Sequence, residues 1–424
     1  MIRADLLVTN IGELATLTRG PVPRTAGALR DLSIVRDAAL AVRDGVFVYV
    51  GRSRNAARTI RLSKGGRTVD ANDGTVLPGL VDSHSHAIFA GERAFELPWK
   101  AEGASYPEIA RRGGGILATV RATRSASDAD LSAVTAARFR RMSMGGSTTI
   151  EVKSGYALDH AGEIRLLEIV GRLARVSGAR LVPTYLGAHA VPPRFARRSD
   201  RYVDEIVKRT LPEIARRRLA HFCDVFCEPG YFSLRQAERI LRAAIALGLG
   251  AKIHADEFVA SGGPRLAARL GARSADHLLA APRGDLRALA RAGVIGVLLP
   301  ATPFTTPGSR ASPGRELVRA GVPVALGSDC SPNSWIESMS LVLSHAVYSA
   351  RLTPAEAISA ATVNAAAALD LADQAGTITV GRPADFVLYD LASTDEIPYR
   401  IGSVPGRVYR QGIRISSPRM DPHI

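Results

Sequence analysis

Residues 75–86 read TVLPGLVDSHSH, an apolar, β-branched run that closes on alternating polar residues and two histidines. The same phrase returns seven times, each run ending in polar or charged residues and followed by an Ala/Leu/Arg-rich stretch. The repeats are STTIEVKSGY (147–156), RLVPTYLGAH (180–189), FCDVFCE (222–228), GAKIHADE (250–257), ARSADHL (272–278), VIGVLLP (294–300) and VPVALGSD (322–329). Continuous apolarity is what strands covered on both faces require. Eight strand-plus-helix units of this kind predict an α/β chain folded as a (β/α)₈ TIM barrel, placed at residues 75–372.

The flanks have a different texture. Residues 1–74 carry short strand-like pieces such as DLLVTN and ALAVRDGVFVYVG, and residues 373–424 repeat the style in GTITVGRPADFVLYD and GRVYRQGIRI. Neither end has enough strands to bury a face alone. Together they predict one small composite β-sandwich beside the barrel, with 1–74 as its N-terminal part and 373–424 as its C-terminal part. The Pro-, Gly-, Ser- and Thr-rich stretch ATPFTTPGSRASPG (301–314) reads as a loop over the barrel mouth.

Length and composition narrow the function classes. The chain has 424 residues, 46% hydrophobic and 22% charged, which excludes disorder as the dominant state. No window approaches the ~18 consecutive apolar residues of a bilayer span, and MIRADLLVTN lacks a signal-peptide core, so a cytoplasmic protein without a membrane partner is expected. Three cysteines do not make a disulfide framework. A net charge of +15 raises nucleic-acid binding. Against it, only five of the 55 basic residues are Lys, and the Arg are scattered through helical stretches without aromatic interleaving. Solvated helix faces explain that pattern, and no nucleic-acid partner is expected. A basic surface still suits a small anionic substrate.

The polar residues of the eight runs fall at their C-terminal ends, where barrel active sites gather. His84, His86, Glu151, Tyr156, His189, Glu228, His254, Glu257, His277 and Asp329 are therefore expected to converge. The sharpest local signal is Asp82-Ser83-His84-Ser85-His86: with a period of two, both imidazoles point to one side and can share a metal ion. Two core histidines on one strand face would give the same spacing, but His254 and Asp329 add a third nitrogen and a carboxylate. Three His and one Asp suit Zn²⁺, with Fe²⁺ or Mn²⁺ not excluded by ligand type. His277 would lie behind this set, within reach of water or substrate.

The strings LPGLVDSHSHAIFAGERAFE, GGGILATVRATR, TTIEVKSGYALD, TYLGAHAVPP, KIHADE, SADHL and ALGSDCSPNS together resemble the imidazolonepropionase family of the amidohydrolase superfamily. The resemblance runs from about residue 75 to 390. It implies one metal, Zn or Fe, held by His84, His86, His254 and Asp329. The implied reaction is hydrolysis of 4-imidazolone-5-propanoate to N-formimidoyl-L-glutamate in histidine degradation, by a homodimer. A cyclic amide resists water at neutral pH, and an ion that lowers the pKa of water to ~7 while polarising the carbonyl removes that obstacle.

Glu257, three residues after His254, is the expected proton carrier between water and the leaving ring nitrogen, with Asp329 and His277 as further candidates for acid/base and oxyanion roles. The resemblance places a carboxylate-gripping Arg at Arg93 and lines the substrate pocket with Tyr106, Tyr156 and His189. One departure stands out. Where many family members have Asn-Pro-Gly-Ser after the metal Asp and Cys, this chain has Ser331-Pro332-Asn333-Ser334. Substrate contacts are expected from Ser331, Asn333 and Ser334, the last of which matches.

The same ligand set would serve a deaminase of a purine or pyrimidine, the rival reading. Lys153 is not expected to be a carboxylated bridge between two metals. Cys223 and Cys227 read as buried core, and Gly113-Gly114-Gly115 as a loop on the substrate side.

Overall fold

The structure is a computed structural model, described over residues 1–415. Residues 416–424, part of the expected C-terminal share of the sandwich, lie outside the described residues.

All eight predicted runs contain a strand of one parallel sheet, in chain order: Leu80–Asp82, Ser147–Lys153, Arg180–Ala188, Phe222–Cys227, Gly250–Ala255, Ser274–His277, Ile295–Leu298 and Val324–Leu326. The seam between the first and last is drawn together by Ser83, whose N–H (3.3 Å) and hydroxyl (2.8 Å) both donate to the Leu326 carbonyl, and by Asp329 N–H to the His84 carbonyl (3.0 Å). The sheet thus wraps into a distorted barrel. Its helices cover it for the reason the sequence suggests. In Leu234–Ala246 the buried residues are Ala237, Ile240, Leu241 and Ala244, a single stripe at helical spacing, and Ser233 and Gln236 form a capping box at its start.

The stretch 75–86 holds two strands rather than one. Thr75–Pro78 belongs to the terminal sheet, pairing parallel with Ile2–Ala15 and antiparallel with Phe386–Tyr389, and only Leu80–Asp82 enters the barrel. The division falls at Gly79, whose N–H donates to the Asp385 carbonyl and where any Cβ would strike the Thr148 side chain. This crossover lies where the two ends of the chain meet: Val76 and Leu77 face Leu388 and Val387 across the ladder. The mixed terminal sheet continues through Ile34–Arg43, Val46–Arg52 and Ile60–Asp70 on the N-terminal side, and Arg407–Arg410 and Ile413–Ile415 on the C-terminal side. Phe47, Phe386 and Tyr409 anchor its core, the last two stacked with ring centres 4.4 Å apart. Among the described residues no helix is long and apolar enough to cross a membrane.

Candidate metal centre and active site

Strand one carries His84 and His86 past its last paired residue, strand five carries His254, and the turn after strand eight carries Asp329. Their ligand atoms converge. His84 Nε2 is 3.2 Å from His86 Nε2, which is 3.3 Å from His254 Nε2, and Asp329 Oδ1 lies 3.4 Å from His86 Nε2 and 3.6 Å from His84 Nε2. Ligand atoms about 2.0–2.1 Å from one shared tetrahedral centre stand about 3.3 Å apart. His84, His86 and Asp329 approach that spacing together, and His254 joins through His86 while also lying close to His84 and His277, a cluster suited to a divalent ion. No side chain of the four exceeds 9% exposure.

The imidazoles are held in the form that ligation requires. Burial drives His84 and His86 well below the ordinary histidine pKa, with neighbouring cationic and imidazole groups adding to the effect, so both rings stay neutral. His84 Nδ1 sits 2.6 Å from Asp276 Oδ2 and His254 Nδ1 sits 2.9 Å from Asp224 Oδ2. At His84 the carboxylate on Nδ1 keeps the proton there and leaves the Nε2 lone pair facing the shared centre, whereas the Asp224 contact to His254 is close in distance but out of line for a hydrogen bond. The stretch expected as a loop over the mouth begins with a short helix, Thr302–Thr305, and Thr302 donates its hydroxyl to Asp329 Oδ2 at 3.0 Å. Burial raises the Asp329 carboxyl to about 6, against the pull of His254.

Above this cluster lies a cavity lined by Arg93, Tyr106, Tyr156, His189, Glu257, His277, Asp329, Ser331 and Asn333, closed by the apolar side chains of Ile116, Phe226 and Phe258. Arg93 is buried and paired in bidentate fashion with Glu96, and its guanidinium lies 5.8 Å from the Tyr106 ring centre. His189 stacks on His86 at 4.9 Å, and its Nδ1 lies 3.1 Å from the Gly155 carbonyl. Neither ring nitrogen of His277 has a hydrogen-bond partner, and the nearest carboxylate oxygen, Glu257 Oε1, is 3.7 Å from Nδ1. His277 is also held at φ 71°, a left-handed conformation that costs free energy and that structures retain chiefly where a site needs it.

This arrangement joins a three-histidine, one-aspartate cage to a buried arginine in one pocket, and the comparisons with known proteins point the same way. Residues 75–413 match the amidohydrolase family. An imidazolonepropionase of Symbiobacterium thermophilum is 43% identical over 411 residues, covering 96% of both chains. Another, of Geobacillus kaustophilus, is 43% identical over 403 residues, covering 94% of this chain and 93% of its own. The chain belongs to the imidazolonepropionase family of amidohydrolases.

Solved structures outside the imidazolonepropionases share the fold. A zinc-bound adenosine deaminase of Xanthomonas campestris superposes with a TM-score of 0.69 at 20% identity, over 97% of this chain and 93% of that one. The guanine deaminase of E. coli gives 0.68 at 16% identity, over 96% and 98%. At these identities the likeness speaks for the architecture alone.

Several expected mouth residues take other places. Glu151 is sealed one layer below the cage, accepting from Thr184 and paired with Lys153 and Lys252. Glu228 accepts the backbone N–H groups of Glu257, Phe258 and Val259, and so shapes the loop that presents Glu257 without lining the cavity. Ser334 is buried outside the cavity lining, its backbone closing a turn with Ser331. Asn333 lines the cavity but its amide is already engaged: Oδ1 accepts from Lys100 Nζ (3.0 Å) and Arg93 Nη2 (3.4 Å), and Nδ2 donates to Thr306 Oγ1 (3.1 Å).

Cys223 and Cys227 are core residues, free and buried. The glycine run 113–115 serves Glu96: the Gly115 N–H donates to its carboxylate at 2.8 Å, and a Cβ on Gly114 would strike the same group.

Sequence reasoning did not single out Asp224, Asp276 or Glu96. For Asp224 the available signal was a lone acidic residue inside the otherwise apolar strand run FCDVFC, where burial without a partner would be costly.

Proposed function

We propose that this chain hydrolyses the cyclic amide of 4-imidazolone-5-propanoate to N-formimidoyl-L-glutamate, a step of histidine degradation, with Zn or Fe held by His84, His86, His254 and Asp329. The observation that carries the reading is the buried Arg93 on the same cavity as the cage. Its pairing with Glu96 uses the Nε edge of the guanidinium and leaves Nη1 for a substrate carboxylate. Tyr106, Glu96 and Tyr156 hold Arg93 above its ordinary pKa against the effect of burial, so it stays charged.

An ion in the cage, when bound, supplies Lewis acidity that activates water at neutral pH and polarises the scissile carbonyl. The chain's own groups do the rest. Arg93, flanked by Tyr106, fixes the propanoate arm and thereby the position of the ring. Glu257, which faces the same cavity and which burial holds well above the ordinary carboxyl pKa, accepts a proton from water at its carboxylate and returns it to the ring nitrogen as the C–N bond breaks. His277, its ring nitrogens unpartnered, offers an N–H to the oxygen that gains charge. Phe226, Phe258 and Ile116 keep bulk water away from these exchanges.

The deaminase reading uses the same cage but has no role for a buried arginine. The test is to follow loss of imidazolone absorbance, with substrate generated fresh by urocanase, in metal-replete wild type and Arg93→Ala. Turnover in wild type with a KM raised at least ~100-fold in the variant supports the reading; an Arg93→Ala enzyme with an unchanged KM removes its basis.

A further inference from the structure

Beneath the metal cage, five ionic side chains from four strands are sealed from solvent: Glu151, Lys153, Asp224, Lys252 and Asp276, all at 0% exposure. Lys153 Nζ stands 2.7 Å from Asp224 Oδ2, 3.0 Å from Glu151 Oε2 and 3.6 Å from Asp276 Oδ2. The two aspartates are those that touch the Nδ1 atoms of His254 and His84. Strand two therefore supplies one ammonium that reaches, through one carboxylate each, imidazoles on strands five and one. Among the described residues Lys153 is the only Lys or Arg within ion-pair distance of either aspartate, since Lys252 pairs instead with Glu151 (2.8 Å) and the Ser83 carbonyl (3.0 Å).

We infer that Lys153 is a positioning residue for the metal cage: its ammonium pins Asp224 and Asp276 together, and they in turn aim the Nε2 atoms of His254 and His84 at one point. A buried carboxylate is held in one rotamer by its counter-charge and hydrogen bonds. Lys153 is the one ammonium within ion-pair distance of both Asp224 and Asp276, while Lys252 attracts Asp276 from farther off and the Ser274 hydroxyl donates to it at 2.6 Å. The three carboxylates around Lys153 also leave its nitrogen no room for carboxylation, because all its contacts are ionic ones that need the ammonium. Partners of ligating histidines typically account for 10- to 100-fold in metal affinity, and here one side chain serves two of them.

The inference rests on the cage holding a metal, so the experiment begins with wild-type protein. Zn²⁺ affinity is measured by competition with a chromophoric chelator, the visible spectrum of the Co²⁺-loaded protein reports ligand geometry, and thermal unfolding reports the fold. Lys153→Met is compared with Lys252→Met, which removes an equally buried ammonium that touches neither aspartate. Expected are a Zn²⁺ affinity at least tenfold weaker and an altered Co²⁺ spectrum in Lys153→Met, with Lys252→Met within about threefold of wild type, although both melt at lower temperature.

Wild-type affinity and an unchanged spectrum in a folded Lys153→Met would overturn the inference, as would an equal loss in Lys252→Met, which would mark a general effect of buried charge. If Lys153→Met does not fold, Lys153→Arg decides. It keeps the charge but not the compact three-way contact, and again at least tenfold weaker binding supports the inference and unchanged binding overturns it. A wild-type protein that binds no divalent ion would instead overturn the metal centre itself.

Discussion

Arg93 and Glu96 meet edge to edge inside the barrel mouth, Nε to Oε1 at 2.7 Å and Nη2 to Oε2 at 2.9 Å, with side-chain exposures of 2% and 0%. The pair is one turn apart in a single short segment, yet its reach is longer, because Glu96 also takes the Gly115 N–H and so ties the arginine to the start of helix Gly115–Ser125. Glu96 fixes which edge of the guanidinium faces the pocket.

Replacing Glu96 by Gln should therefore act on substrate capture. A charge-assisted hydrogen bond contributes roughly 1.5–3 kcal/mol, so the KM of Glu96→Gln is expected to rise about tenfold or more with kcat changed far less. Steady-state kinetics on both variants would show it, with Arg93→Ala the more severe of the two.

Glu257→Gln is expected to lower kcat by about 10²- to 10⁴-fold while metal content, measured by elemental analysis, stays at the wild-type level. Glu257 takes no part in the cage, and its loop is shaped by Glu228, so the substitution leaves the ligands in place.

The pH profile should carry the signature of the same residue. Burial first, then Asp329 and Glu228, push the Glu257 carboxyl well above its ordinary value. A raised pKa keeps the neutral form to higher pH, and the proton-accepting form grows in only as pH rises through that value. The acidic limb of kcat/KM is thus expected well above the usual carboxyl range, and Glu257→Gln should remove it. A limb near pH 4, or one that persists in the variant, would contradict the assignment.

Asn333 connects three segments at the mouth: Arg93, Lys100 and Thr306 all bond its amide. Asn333→Gly, which removes that amide, should release the 301–314 loop from its bond through Thr306 and raise KM by several-fold. Limited proteolysis of that loop, faster in the variant, provides the structural readout.

Away from the site, Glu356 is the clearest electrostatic contribution to stability. Its side chain is buried, which alone would raise its pKa, but Arg315, the Thr353 N–H and Arg30 hold it down to about 2. A depressed carboxyl pKa stabilises the fold above about 4.5 and loses that contribution as pH falls toward 2. Glu356→Gln should cost on the order of 2 kcal/mol at pH 7 by urea unfolding, with the gap to wild type narrowing below pH 4.5.

The barrel was legible because each strand announces itself twice, by an apolar run and by the polar residue that ends it; His84, His86, His254 and Asp329 could be placed together on that ground. What the sequence concealed is the layer beneath. Asp224, Asp276 and Lys153 make sense only once the barrel closes, since they lie on alternate strands, and each is an ordinary polar position in its own run that joins the network through partners 71 (Lys153 to Asp224) or 123 (Lys153 to Asp276) positions away. Glu151 and Glu228 misled for the same reason, as a strand-end carboxylate can point to the mouth, into the barrel or back to a loop. The two-strand division of 75–86 turns on Gly79 and a contact with Thr148 that no local pattern encodes.

The most direct test of the account is a pair of parallel assays on the metal-replete protein, one following ring opening of 4-imidazolone-5-propanoate and the other following ammonia release from guanine, adenosine and cytosine. Turnover is expected in the first, lost on chelation and restored by Zn²⁺ or Fe²⁺, and none in the second. Ammonia release without ring opening would contradict it.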